Sequence, residues 1–207
     1  FLLVYSLIQK KRKQVTNSEV EIKLSMMLSD GVNLTLVSFA RLQFISGLRI
    51  SDLLAIRRVD IGENLNVYVR QSKGSQAKVI SLLYDREFWF NYKCGLYTDI
   101  SVFNSMTFYR LYSRYNLIIS NGPGRNSSVT HSARKLLART AYDVTNSVEM
   151  AQAALGHKSQ NSTLYYLTDA QRKAEVKKGI LGTITGATGN LKFRRMKGYT
   201  IMSIIRK

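Results

Sequence analysis

The stretch from Val129 to Leu167 carries most of the groups in this chain that could do chemistry. It holds both histidines of the protein, His131 and His157, with Arg134 three residues after the first. Residues three apart share a face of a helix, so His131 and Arg134 are expected to point the same way. His157 follows a short apolar segment and Gly156, and Tyr166 lies nine residues beyond it, directly after Tyr165. A guanidinium, two imidazoles and a phenol in one segment suit an oxyanion site with a nucleophile.

Phosphoryl transfer without a metal needs three things. A nucleophile attacks in line, cations balance charge on the non-bridging oxygens, and an acid protonates the leaving oxygen. Arginine suits the second task because its planar fork matches two phosphate oxygens. Tyrosine can serve as the nucleophile where nearby cations favour its phenolate. Alternative chemistry is sparse. The sequence shows no close carboxylate pair of the kind a two-metal nuclease uses and no glycine-rich phosphate loop. Cys94 is the single cysteine, so an internal disulfide is excluded and a reducing setting is expected. With one cysteine and two distant histidines, no structural zinc site is expected.

Charge points to the partner. The 207 residues carry 31 Lys plus Arg against 13 Asp plus Glu, a net +18. An excess of that size on a chain that is 45% apolar indicates a folded protein with a polyanionic partner, nucleic acid before anionic membrane. Nothing is apolar for long enough to span a bilayer, and the opening FLLVYSLI lacks the basic residues that precede a signal-peptide core.

The elements that must position these groups can be read in order. Residues 1 to 15, ending in the cluster Lys10 to Lys13, are expected to be a linker, and 16 to 179 a mainly helical domain. Ser18 with Glu21 forms a candidate capping box for a helix over 19 to 29. Asn33 can cap the next helix, which Gly47 ends, and Ser51 a short one after it. The runs from Asn66 to Ser72 and from Ala77 to Leu83 read as a β-hairpin, with Lys73-Gly74-Ser75-Gln76 as its turn. Asp85, Ser105, Thr130 and Ser147 can cap further helices, the last stopping at Gly156. Residues 161 to 167 are expected to form a short helix or turn presenting the tyrosines, and Ala170 to Lys178 a basic helix. From 180 to 207 the composition becomes glycine-rich with a basic end, and this tail is expected to dock elsewhere, on a neighbouring subunit.

At these residues the chain resembles the catalytic domain of tyrosine recombinases, the phage-integrase family. That family's first box reads roughly T-G-L-R-x-S-E-L, and here Ser46-Gly47-Leu48-Arg49-Ile50-Ser51-Asp52-Leu53 stands in its place. Its hairpin lysine sits in a G-K-G-like turn, matched by Ser72-Lys73-Gly74. Its H-x-L-R-H box appears as His131-Ser132-Ala133-Arg134-Lys135. Its L-G-H with a tyrosine nine residues on appears as Leu155-Gly156-His157 and Tyr166. The ordered set covers residues 16 to 170; H-x-x-R alone would be a weak signal.

The resemblance implies a mainly α fold with a small antiparallel hairpin or sheet. It implies site-specific cleavage and rejoining of double-stranded DNA through a 3′-phosphotyrosyl link, without metal or ATP. In that scheme Arg49 and Arg134 clamp the scissile phosphate and His131 assists proton transfer. His157 hydrogen-bonds a phosphate oxygen, Lys73 protonates the leaving 5′ oxygen, Tyr166 attacks, and Asp52 orients an arginine. Implied partners are a second, third and fourth copy on DNA, and accessory DNA-bending proteins. The implied location is a nucleoid or a viral or host DNA compartment.

Departures and alternatives stand beside this. Ala133 and Lys135 replace a common Leu and His. Tyr165 is the alternative nucleophile, favoured less by spacing. The family's N-terminal helical domain has no room here, so a catalytic fragment is expected. Taken singly, Arg49 can simply pair with Asp52 or Asp60, Lys73 can be a soluble turn residue, and the tyrosines can be core aromatics. A type IB topoisomerase, a telomere resolvase and a non-cutting DNA-binding relative share these boxes. An RNA-binding or ribosomal protein accounts for the charge but not for the boxes.

Overall fold

The computed structural model describes residues 16–72, 77–119, 129–186, 191–196 and 199–204. The chain divides into two compact units, one ending at Leu167 and the other beginning at Thr168. In the first unit, helix α1 (Asn17–Ser29) is followed by α2 (Leu34–Ser46) and the short α3 (Ile50–Leu54). Strands β1 (Asn66–Val69) and β2 (Lys78–Ser81) come next. Then follow α4 (Arg86–Lys93), α5 (Ser105–Arg114), α6 (Ser132–Thr145), α7 (Val148–Leu155) and α8 (Gln160–Leu164). The expectation of a mainly helical domain with one small antiparallel hairpin holds.

Several caps differ from the sequence reading by a residue or two. The capping box of α1 is Thr16 with Glu19, and Ser18 lies inside the helix. The start of α3 is Arg49, whose side chain makes no cap bond. Asn104 rather than Ser105 caps α5 by accepting from Thr107 N. Thr130 sits in a 3-10 turn (Val129–His131) that leads into α6. Hydroxyl and amide side chains recur every few residues here, and backbone direction decides which one meets the N–H groups. Asn33 and Ser147 do cap α2 and α7, and both helices end in left-handed glycines, Gly47 (φ +63°) and Gly156 (φ +66°).

The hairpin pairs Asn66 with Ser81 and Val69 with Lys78. Alternation puts Val67, Val69 and Ile80 inward, while Tyr68 and Val79 lie opposite one another on the exposed face. Its turn, with Lys73, lies outside the described residues. The principal core gathers Phe39, Phe44, Phe88, Trp89, Tyr92, Phe108 and Tyr112, with Phe39 and Trp89 rings 5.0 Å apart. So the aromatic run of α4 packs inward apart from the exposed Phe90. A second, smaller core holds Tyr142, Val148, Ala151, Leu155, Tyr166 and Leu167. Helix α6 supplies Ala133 and Leu136 to the first core and Ala138 and Tyr142 to the second. It therefore runs between the two, with His131 and Arg134 at its start.

The second unit holds helix α9 (Asp169–Gly186) and strands β3 (Leu191–Met196) and β4 (Tyr199–Ile204), which pair antiparallel with Met196 opposite Tyr199. The helix continues past Gly179 and Gly182, although each glycine costs about 1 kcal/mol relative to alanine.

Candidate active site

Arg134 is fully buried at the first turn of α6. Its Nη1 donates to Gly47 O at 2.6 Å, and its Nη2 reaches Leu155 O at 3.5 Å and His157 Nε2 at 2.6 Å. A guanidinium only donates, so His157 Nε2 accepts and its Nδ1–H is left to donate to Thr163 Oγ1 at 3.0 Å. Arg134 Nε is buried and has no hydrogen-bond partner among the described residues. An unsatisfied charged N–H is costly unless an acceptor arrives with a ligand.

Tyr166 follows the turn after α8, and its backbone N–H donates to Thr163 O at 2.8 Å. Its phenol oxygen lies 3.0 Å from His131 Nδ1, and the two rings are nearly parallel at 4°. Arg134 Cζ stands 5.6 Å from the centre of the same ring. Arg139, buried one turn further along α6, donates Nε–H to Tyr166 O at 3.1 Å. Tyr165 is 54% exposed and Tyr166 only 8%. The neighbours project about 100° apart, and the tertiary packing turns only Tyr166 towards the histidines.

Arg49 lies at the start of α3, where Nη1 reaches Gln71 Oε1 at 3.4 Å, Ser72 O at 3.3 Å and Asp52 at 3.7 Å. Asp52 is buried, and its Oδ1 accepts from Ser72 N at 3.0 Å. The first box thus holds Gln71 and Ser72, just beyond the end of β1. Asp60 pairs with Arg57 instead.

The structure therefore brings Arg134, His157, His131 and Tyr166 together, with Arg49 and Asp52 joined to the hairpin. It adds residues that the motifs did not single out. Lys78 on β2 donates Nζ–H to Ser46 O at 2.9 Å and to Ala154 O. Lys135 is buried and donates to Ile119 O at 2.8 Å, which ties α6 to the segment before it. Arg139 and Thr163 hold Tyr166 and His157 as described. A readable signal existed for Lys78: strand alternation puts it on the same face as the apolar Ile80 and Leu82. For Arg139 the signal was its spacing from Leu136 and Tyr142 on the buried face of α6.

Electrostatically the cluster is a crowd of cations. Burial, then Arg134, Arg49 and Lys78, pushes the His157 imidazole down to about 4. Burial, then Arg134 and Arg49, pushes the Lys78 ammonium down to about 8, and burial with Arg139 does the same to Lys135. Arg134 is lowered as well, chiefly by burial. An excess of positive charge of this kind, only partly offset by Asp52, favours an anion in the site.

His157 leads to a pH prediction. Its unfolded pKa is near the ordinary 6.5 and its folded one about 4. Between those values the unfolded chain binds a proton that the folded chain does not, so stability falls as the pH drops from 6.5 to 4. The thermal midpoint of the free protein should fall over that window, and by less in His157→Gln. Equal falls in the two proteins, read by calorimetry, would contradict it.

No protein-family model matches this chain, and no curated protein matches it. The fold of the chain is similar to that of solved site-specific recombinases. The XerH site-specific recombinase, solved in a post-cleavage complex with palindromic difH substrate, matches with a TM-score of 0.55 at 16% identity. The match covers 82% of this chain and 53% of XerH, so the chain spans about half the length of that protein. The XerA recombinase matches over 80% of this chain and 64% of its own, at 15% identity and a TM-score of 0.49. Among the described residues no helix is long and apolar enough to cross a membrane, and no group of His, Cys, Asp or Glu could hold a metal ion.

Proposed function

We propose that this chain is the catalytic part of a site-specific DNA recombinase that cleaves and rejoins strands through a 3′-phosphotyrosyl intermediate. The observation that carries the reading is the placement of the Tyr166 phenol, 3.0 Å from His131 Nδ1 and over Arg134, while Tyr165 faces outward.

In the forward step the Tyr166 oxygen attacks the scissile phosphorus as the bond to the 5′ oxygen breaks. With His131 in the Nε2–H tautomer, its Nδ1 accepts the phenolic hydrogen. Arg134 and Arg49 balance charge on the non-bridging oxygens, and Lys73 supplies the proton to the departing 5′ oxygen. In the free protein His157 Nε2 is turned to Arg134, so donation to a phosphate oxygen requires the other tautomer and release of that contact. Phosphate can replace His157 and the Gly47 carbonyl as the acceptor for Arg134, and it supplies an acceptor to the unpartnered Nε. The phosphotyrosyl bond keeps the energy of the phosphodiester, so a 5′-hydroxyl can reverse the step without ATP or a metal.

The same reading assigns double-stranded DNA as substrate and four copies of the chain on paired sites, with accessory DNA-bending proteins. It locates the protein in a nucleoid or a viral or host DNA compartment. The net charge of +18 makes DNA affinity fall steeply with salt. Residues 180 to 207 are assigned to docking on a neighbouring copy. A deletion of 180 to 207 is then expected to leave DNA binding intact and to abolish synapsis; unchanged synapsis on a native gel rejects that role.

The test is a duplex with a nick beside a candidate crossover site, which traps the covalent intermediate. A denaturant-resistant protein–DNA band formed in chelator, mapped by mass spectrometry to Tyr166, is the expected result. An adduct on Tyr165, or none from a protein that binds the same DNA tightly, overturns the assignment.

A further inference from the structure

Two helices of the first unit end beside the cation cluster, and both end the same way. Helix α2 stops at Ser46 before left-handed Gly47, and α7 stops at Leu155 before left-handed Gly156. The last carbonyls of a helix lack intrahelical partners and carry its negative dipole end. Here two cations from different elements take them in register. Lys78, from β2, bonds Ser46 O and Ala154 O. Arg134, from α6, bonds Gly47 O and Leu155 O, one residue further along each chain. The residues that follow are site residues: Arg49 is two beyond Gly47, and His157 is next to Gly156.

Lys78 is an expensive choice for a strand that needs only to pack. Its side chain shares the inward face with buried Ile80, while its neighbour Val79 is 67% exposed. Two further cations converge on it, Arg134 from α6 and Arg49 from the start of α3, and the neutral imidazole of His157 after α7 stands in the same cluster. Asp52, the carboxylate beside Arg49, is engaged with that arginine and with Ser72 N. A methionine would fill similar volume without burying a cation among cations.

We propose that Lys78 is a positioning residue of the phosphate site: by holding the ends of α2 and α7 together against β2, it sets the spacing of Arg49, Arg134 and His157 around the scissile phosphate. The inference rests on the recombinase reading above. It also links the site to the hairpin, because Lys73 lies five residues before Lys78. The bonds of Lys78 keep β2 and the cations in one frame. Misplacement of about 1 Å in such a frame costs on the order of a hundredfold in rate.

The experiment uses the full chain and the nicked duplex, with wild type, Lys78→Met and Lys78→Arg side by side. Three quantities are read: adduct rate at saturating DNA, the Kd for the same DNA, and the thermal midpoint. Lys78→Met is expected to stay folded, to bind within about threefold of wild type, and to cleave roughly 10 to 100 times more slowly. Lys78→Arg, which keeps the charge and reaches both carbonyls, should recover most of that loss. Wild-type cleavage by Lys78→Met overturns the inference while leaving the recombinase reading intact. A loss confined to Kd does the same, since it makes Lys78 a binding cation only. If Lys78→Met does not fold, Lys78→Arg decides: a folded Lys78→Arg protein with its cleavage rate reduced more than tenfold at saturating DNA overturns the role. No adduct from wild type overturns the recombinase reading, and this inference with it.

Discussion

Tyr166→Phe is expected to bind DNA as wild type does and to form no covalent adduct. The substitution removes one oxygen and leaves the ring, which packs with Leu155 and Leu167 in the smaller core. The phenol oxygen lies 3.0 Å from His131 Nδ1. Losing one such bond costs about 1 kcal/mol of stability, roughly a 2 to 4 °C change in the thermal midpoint for a chain of this size. The loss of chemistry is of another order, because no second nucleophile stands in that place. Tyr165 is exposed, and its ring meets Tyr166 edge-on at 84° rather than facing His131. Tyr165→Phe should therefore cleave at close to the wild-type rate. The pair of variants reads out the register directly: an adduct retained in Tyr166→Phe and lost in Tyr165→Phe would reverse the assignment.

Arg134→Ala is the second large effect. An oxyanion donor removed from a preorganised site costs about a hundred- to a thousandfold in rate, and Arg134 serves as more than one donor. Its effect on folding has opposing parts. Truncation strips a partner from Gly47 O, Leu155 O and His157 Nε2, and it leaves a cavity in a fully buried position. It also removes a buried cation from the company of Arg49 and Lys78, which relieves repulsion. The stability loss is therefore expected to be smaller than the several kcal/mol lost from the transition state. Cleavage measured well below the thermal midpoint separates the two, and a folded Arg134→Ala protein that cleaves within tenfold of wild type contradicts the role.

Much of the local structure was legible beforehand. Asn33, Gly47, Ser147 and Gly156 mark helix ends because a capping side chain or a left-handed residue is a local requirement, met within one turn of chain. The hairpin was legible because alternation and turn residues are equally local. Where two candidate caps stood close together, as with Thr16 and Ser18 or Asn104 and Ser105, the choice depended on chain direction, which sequence does not carry. For Lys78, strand alternation marks the inward face, but what the ammonium meets there is set by two helix ends distant in the chain.

The sequence by itself determined the inventory: the ordered boxes, the cation excess, and the helices and hairpin that carry them. Residue types and short-range spacing suffice for these, since each depends on a few neighbours along the chain. Only the tertiary structure decided which groups meet. It turned Tyr166 rather than Tyr165 to His131, gave the Arg134 fork to Gly47 and Leu155, and enclosed Lys78 among other cations. Those outcomes follow from burying two apolar cores on either side of one helix, a constraint that acts across the whole domain and is written in no single segment.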